Sequence, residues 1–138
     1  MTETAAKKRW LRRYIDALHE EKEIMLELAE LEGQYILPSK QIDGMPHGSG
    51  GDSDLSSFAA AYDLLYQEVK HAYQRCIEIR REVRSAIETL ENDTEKTVLL
   101  YRYISGRQWE QIAAEMHYSC RRVLQIHGNA LYHFKIPK

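Results

Sequence analysis

The stretch "WEQIAAEMHYSCRRVLQI", residues 109–126, has the pattern of two short helices joined by a tight turn. Its apolar residues recur every three or four positions, the spacing that places them on one face of a helix. Ser119 stands just before the second helix and belongs to the residue types preferred as helix N-caps. The stretch therefore predicts a helical pair, which either reads DNA or is an ordinary helical hairpin.

The apolar positions of this stretch match those required by a helix-turn-helix. Such a motif needs a small residue where its two helices approach most closely, and Ala113 occupies that position. The other core positions, around the turn and on the second helix, are filled by Ile112, Met116, Tyr118, Val123 and Ile126. His117 stands where such turns usually carry glycine, because the backbone there often has a positive φ. Histidine tolerates this conformation better than most residues, so the sequence still predicts the turn.

Once the core positions are assigned, polar residues remain on the exposed N-terminal half of the second helix. These candidate DNA-contacting residues are Ser119, Cys120, Arg121, Arg122 and Gln125. Arginine can contact guanine through two hydrogen bonds, and glutamine can do the same with adenine. Arg107 and Lys135 are predicted to flank them as phosphate anchors. The alternative is that Arg121 and Arg122 only solvate an amphipathic helix.

The residues around the pair complete a small C-terminal domain, predicted at 93–138. Asn92 or Thr94 is expected to cap a helix that runs to about Ile104, and Gly106 is expected to interrupt the chain after it. The buried faces of this helix and of the last one are predicted to consist of Val98, Leu99, Tyr103, Val123, Ile126, Ala130 and Leu131.

The preceding residues predict a long helical arm. Residues 1–37 read as one helix, from about Glu3 to Gln34, ended by Gly33 and Pro38, and residues 38–54 read as a Gly-rich flexible linker. In residues 55–92 apolar residues alternate by three and four over five heptads: Leu55, Phe58, Tyr62, Leu65, Val69, Ala72, Cys76, Ile79, Val83, Ala86 and Leu90. Leu64, Ile77 and Ile87 widen this stripe.

The sequence thus predicts an all-α protein with a long helical hairpin or coiled-coil arm followed by a small helix-turn-helix domain. The arm can close within one chain or between two copies, and the pattern does not choose between them.

The predicted arm and the C-terminal domain carry net charges of opposite sign. Residues 1–93 contain 12 Lys and Arg against 18 Asp and Glu, whereas residues 94–138 contain seven against three. A basic C-terminal domain on an acidic arm suits a polyanionic partner for that domain alone.

Other classes of function find little support. The charged N-terminus predicts no signal peptide, and no apolar run approaches the length of a membrane span. Cys76 and Cys120 lack a metal or redox spacing, which favours a reduced, cytoplasmic setting. Because the sequence contains no nucleotide motif, no paired inward carboxylates and no zinc-ligand spacing, we expect no metal, no cofactor and no enzymatic activity.

The segment "TEKTVLLYRYISGRQWEQIAAEMHYSCRRVLQIHGNAL", about 40 of the 138 residues, resembles region four of bacterial sigma factors. Together with "DGMPHGSGGDSD" and the long helical N-terminus, it is similar to small phage-encoded regulators, the ArpU/RinA-like late-gene activators. The resemblance implies binding to promoter DNA and an engagement of the host RNA polymerase. The chain has no second promoter-reading region with aromatic melting residues, so the resemblance does not extend to a complete sigma factor.

Three functions remain open from the sequence. The first is a DNA-binding transcription regulator of phage or prophage type, dimeric through its helical arm. The second is a coiled-coil protein-interaction module whose C-terminal helices only cap the arm. The third is a DNA-packaging accessory protein that binds DNA with little sequence preference.

Overall fold

The computed structural model describes residues 2–39 and 50–138, and the side-chain environments of residues 2–34 and 55–138. Within these ranges the chain is all-α, and no residue lies in a strand. The helices are α1 (Glu3–Leu11), α2 (Arg13–Ser39), α3 (Gly50–Glu88), α4 (Asp93–Tyr103), α5 (Trp109–Met116) and α6 (Cys120–His133). The predicted class, a long helix followed by shorter ones, is confirmed.

The N-terminal helix begins at Glu3 as predicted but differs from the prediction in its interior and at its C-terminal end. It is divided at Arg12 into α1 and α2, and α2 continues past Gly33 to Ser39. At this division the Arg12 N–H donates to the Lys8 carbonyl at 2.9 Å and so closes α1, and the Arg12 carbonyl accepts the Asp16 N–H at 2.9 Å at the start of α2. A single glycine costs a long helix only about 1 kcal/mol relative to alanine, which is too little to end it. Most of the predicted linker, at 40–49, lies outside the described residues.

The chain forms two compact units, one of Met1–Leu18 with Cys76–Lys138 and one of His19–Arg75. In the second unit α2 and α3 run antiparallel. Glu20 pairs with Arg75 at 3.7 Å, and further along the hairpin Glu32 lies beside Tyr62. Loss of solvent and the nearby Glu32 carboxylate raise the pKa of Tyr62 above its ordinary value. The helical hairpin predicted from the heptads is therefore present within one chain.

Burial along the heptad stripe of α3 increases towards its C-terminal end. Leu55 is exposed, the next stripe residues up to Val69 are half-buried, and Val83 is fully buried. Of the residues predicted to widen the stripe, Ile87 is fully buried, whereas Leu64 is 68% exposed. The stripe thus contributes most to the core where α3 enters the first unit.

The main core of the first unit joins α1 to the C-terminal helices. Its buried members are Leu11, Val83, Ala86, Ile87, Leu90, Leu99, Tyr103, Ala130, Leu131 and Phe134. The Trp10 and Phe134 rings pack with their centroids 5.7 Å apart. The buried Lys7 amino group donates to the Leu131 carbonyl at 2.8 Å, and so satisfies an acceptor in the last turn of α6. The helix-turn-helix region therefore shares its core with α1 and with the end of α3.

Candidate nucleic-acid interface

The turn between α5 and α6 has the predicted backbone conformation. His117 has φ 60° and ψ 38°, in the left-handed region. The Tyr118 N–H donates to the Ala113 carbonyl at 3.0 Å, and the His117 N–H donates to the Ala114 carbonyl. These two bonds close α5 in the manner of a Schellman motif. The positive φ expected at His117 is confirmed.

Ser119 fixes where α6 begins. Its side-chain oxygen accepts the Arg122 N–H at 3.1 Å, while its own backbone is extended. This is the geometry of an N-cap, as predicted. The cap places Cys120, Arg121 and Arg122 in the first turn of α6, next to the loop.

A second, smaller core holds the two helices together. Its buried members are Val98, Ile112, Ala113, Val123 and Ile126, with Tyr101, Trp109 and Met116 packed against them. The prediction for Tyr118 was wrong, because its side chain is 43% exposed. Val98 of α4 completes the cluster, so the turn does not have to supply an apolar side chain.

The structure brings five of the predicted contact residues together on one surface, which we call the α6 face. They are Ser119, Cys120, Arg121, Arg122 and Gln125, and all are exposed. The opposite side of α6 is buried through Val123, Ile126 and Ala130. Within the described side chains, no carboxylate pairs with Arg121 or Arg122. Both guanidinium groups can therefore contact a partner.

Sequence reasoning missed residues on the second half of this surface. Arg121, Gln125, Gly128 and Tyr132 follow one another by four, three and four residues, so they form one line along α6. Tyr132 is 83% exposed. The same helical spacing that identified the buried side could have identified this line.

Arg122 also lines a groove of about 220 Å³ between α4 and α6. Thr94, Tyr118 and Asn129 contribute to its walls. Glu95 lies in the groove as well, but its buried carboxylate pairs with His133. The groove extends the α6 face toward the N-terminus of α4.

The two predicted phosphate anchors lie elsewhere. Arg107 is half-buried, with its guanidinium 4.4 Å from the centre of the Tyr101 ring and 3.9 Å from Glu115. Lys135 is exposed beyond the end of α6. Because a helix rises about 1.5 Å per residue, the end of α6 at His133, which precedes Lys135, lies roughly 17 Å along the helix axis from Arg122. Neither residue joins the α6 face.

His127 points to the buried side of α6. Its Nε2 atom lies 2.8 Å from the Tyr103 hydroxyl, and its ring packs against the edge of Trp109. Burial, and then the positive charges of Lys8 and Arg102, lower the pKa of His127 to about 4. Burial raises the pKa of Tyr103 to about 12. His127 is thus a neutral core residue at neutral pH.

No protein-family model, curated protein or solved structure matches the chain. Within the part of the chain that the structure describes, no helix is long and apolar enough to cross a membrane. Over the same residues, no group of three or more His, Cys, Asp or Glu side chains is placed to hold a metal ion. The function is therefore inferred from the α6 face and its supports.

Proposed function

We propose that this chain is a sequence-specific, double-stranded-DNA-binding transcription regulator, with α5 and α6 as its helix-turn-helix and α6 as the helix that enters the major groove. The observation that carries this proposal is the α6 face. A left-handed turn at His117 and a cap at Ser119 position Arg121 and Arg122 at the start of an exposed helix, without acidic partners among the described side chains. Side chains near the N-terminus of a recognition helix are those that reach base edges.

Further support comes from the charge of the chain. Residues 94–138 contain seven basic against three acidic side chains, which gives the helix-turn-helix region a positive charge. A positive surface attracts the phosphate backbone before any base is read. By its resemblance to sigma region four and to the ArpU/RinA-like activators, we further propose a phage or prophage regulator of late genes, acting with host RNA polymerase in the bacterial cytoplasm. A homodimer formed through the arm would read two half-sites a whole number of helical turns apart.

The test uses two variants with the same charge change. Arg121→Ala/Arg122→Ala removes both arginines of the α6 face, and Arg80→Ala/Arg81→Ala removes an adjacent pair from α3. We expect wild type and the α3 variant to prefer one promoter fragment of the source genome over random duplex. The α6 variant should lose that preference while circular dichroism still reports a helical chain.

A second function, protein–protein interaction through the arm, is favoured by exposed apolar side chains in the unit of residues 19–75. Leu64 is 68% exposed and Tyr73 is 56% exposed. Tyr66, at 44%, lies seven residues before Tyr73 and so on the same helix face. If this is the only function, the α6 double variant should retain every partner that wild type binds, and wild type should not bind DNA.

A further inference from the structure

A cleft away from the α6 face gathers positive charge in the first unit. It has a volume of about 310 Å³ and is lined by Lys8, Arg12, Ile15, Arg102, Tyr103, Gly106, Trp109 and His127. We call it the basic cleft. Its volume lies at the lower end of the range for small-molecule sites. Three of its eight lining residues are cationic and none is acidic.

The two cations contributed by the N-terminal helices have no acidic partner among the described side chains. Lys8 and Arg12 are exposed, and neither forms an ion pair with a described carboxylate. The cations next to them in sequence are paired with carboxylates: Lys7 pairs with Glu3, and Arg13 pairs with Glu82 at 2.8 Å. Lys8 and Arg12 thus line the cleft without a described carboxylate beside them, whereas Arg9, which also forms no ion pair with a described carboxylate, does not line it.

Arg102 is held in place by two contacts. Its guanidinium lies 4.4 Å from the centre of the Trp109 ring, and it donates to the Arg107 carbonyl at 3.0 Å. A guanidinium fixed in this way loses little conformational freedom when it binds an anion. Trp109 and Tyr103 also line the cleft.

Cations near the C-terminal end of a helix often serve only to offset the helix dipole. Two helices end beside the cleft: Lys8 lies in the last turn of α1 and Arg12 is its C-cap, and Arg102 lies in the last turn of α4. Each helix end carries roughly half a negative charge, so the two ends together offset about one of the three positive charges.

Because most of the positive charge of the basic cleft is not balanced by described carboxylates or helix ends, we propose that it binds a phosphate group. Two arginines and a lysine supply several N–H donors to one polyanionic group, and arginine forks match the geometry of phosphate oxygens. The phosphate can belong to the DNA backbone or to a free phosphorylated molecule, because the binding chemistry is the same.

The experiment compares Arg12→Gln with Arg9→Gln. Both arginines are exposed and three residues apart, both changes remove one charge, and Arg9 does not line the cleft. Sodium pyrophosphate is titrated calorimetrically into wild type and both variants, in buffer free of phosphate and sulfate and at matched ionic strength. Arg12→Gln should weaken pyrophosphate binding about tenfold, the effect of losing one charge-assisted hydrogen bond, and Arg9→Gln should not.

A second series measures the salt dependence of affinity for duplex DNA with the same variants. If the phosphate belongs to the DNA backbone, Arg12→Gln reduces the slope of log K against log salt by about one relative to Arg9→Gln. If it belongs to a free molecule, the DNA slopes agree and only pyrophosphate binding differs. Equal behaviour of Arg12→Gln and Arg9→Gln in both series overturns the proposal.

Phosphate binding in the basic cleft is independent of DNA reading by the α6 face. The Arg121→Ala/Arg122→Ala variant should bind pyrophosphate as wild type does. A chain that binds pyrophosphate through Arg12 but does not bind DNA would refute the transcription regulator and leave the phosphate site standing.

Discussion

At the scale of single residues, His117 determines the angle at which α6 leaves the turn. It adopts a left-handed backbone, and its side chain is exposed. A side chain at positive φ clashes with its own backbone, an effect that glycine avoids and β-branched residues suffer most. The conformation at this position is thus maintained by the packing of α5 against α6.

The effect of a substitution at His117 on the free energy of unfolding should depend on how readily the new residue adopts a positive φ, and not on the polarity of its side chain. We expect His117→Val to lower the free energy of unfolding by about 1–2 kcal/mol and His117→Gly to raise it by up to about 1 kcal/mol. Urea denaturation of the three proteins measures both changes. Equal stability of the Val and Gly variants would contradict a left-handed turn.

His127 gives the first unit a predictable dependence on pH. Its pKa is lowered to about 4 in the folded chain, against an ordinary value of 6.5. Between these values the unfolded chain binds more protons, so the free energy of unfolding falls as the pH falls from about 6.5 to about 4. The total loss is on the order of 3 kcal/mol, and stability is independent of this group above that window.

Denaturant unfolding at pH 7.5, 6.0 and 5.0 measures this loss. His127→Gln should flatten the dependence, while substitution of the exposed His19 should leave it as in wild type. A wild-type stability that stays constant across these pH values would contradict the burial of a neutral histidine beside Tyr103.

At the scale of helices, α1 is a structural part of the helix-turn-helix unit. Leu11 is fully buried among residues of α3, α4 and α6. Truncation of such a side chain costs its transfer free energy and leaves a cavity. Leu11→Ala should therefore lower the free energy of unfolding by about 2–5 kcal/mol.

The matched control is Leu124→Ala in the same unit, where the side chain is 48% exposed. A half-exposed leucine that belongs to neither buried cluster should change stability much less, by about 0.5 kcal/mol. Both variants are measured by chemical denaturation. Similar effects of the two substitutions would show that α1 does not pack as the structure has it.

Local features of these helices could be predicted from sequence, and long-range contacts could not. The caps at Asn92 and Ser119 and the turn at His117 depend on residues within three or four positions, so short patterns indicate them. Leu11 and Phe134 were not recognised as core residues, because their burial depends on helices distant in sequence. Tyr118 was wrongly assigned to the core, because its spacing fits a buried position although Val98 of α4 already completes the cluster.

The same distinction applies to charged residues. Exposure of Arg121, Arg122 and Gln125 follows from the period of α6 and was predicted correctly. The ion pair and aromatic contact of Arg107 depend on Glu115 and Tyr101, which no local pattern links to it. The basic cleft could not be predicted either, since α1, α4, α5 and α6 all contribute to it.

At the scale of the whole molecule, the two compact units do not coincide with the division of charge. The unit that contains the α6 face also includes residues 1–18 and 76–92, which the sequence assigned to the arm. It therefore includes both a basic surface on α6 and a basic cleft lined by Lys8 and Arg12. Neither the α6 face nor the basic cleft lies in the acidic hairpin of residues 19–75. This agrees with a separate role of the hairpin in self-association or partner binding.

The salt dependence of DNA affinity tests the central claim most directly, because each phosphate contact contributes about 0.9 to the slope of log K against log salt. Affinity for the preferred promoter fragment is measured from low to physiological salt for wild type, Arg121→Ala/Arg122→Ala and Arg80→Ala/Arg81→Ala. The account predicts that the α3 variant behaves as wild type. The α6 variant should show a slope shallower by up to about two, with no preference among fragments. Equal slopes and affinities for both variants, or no DNA binding by a helical wild-type chain near physiological salt, would contradict it.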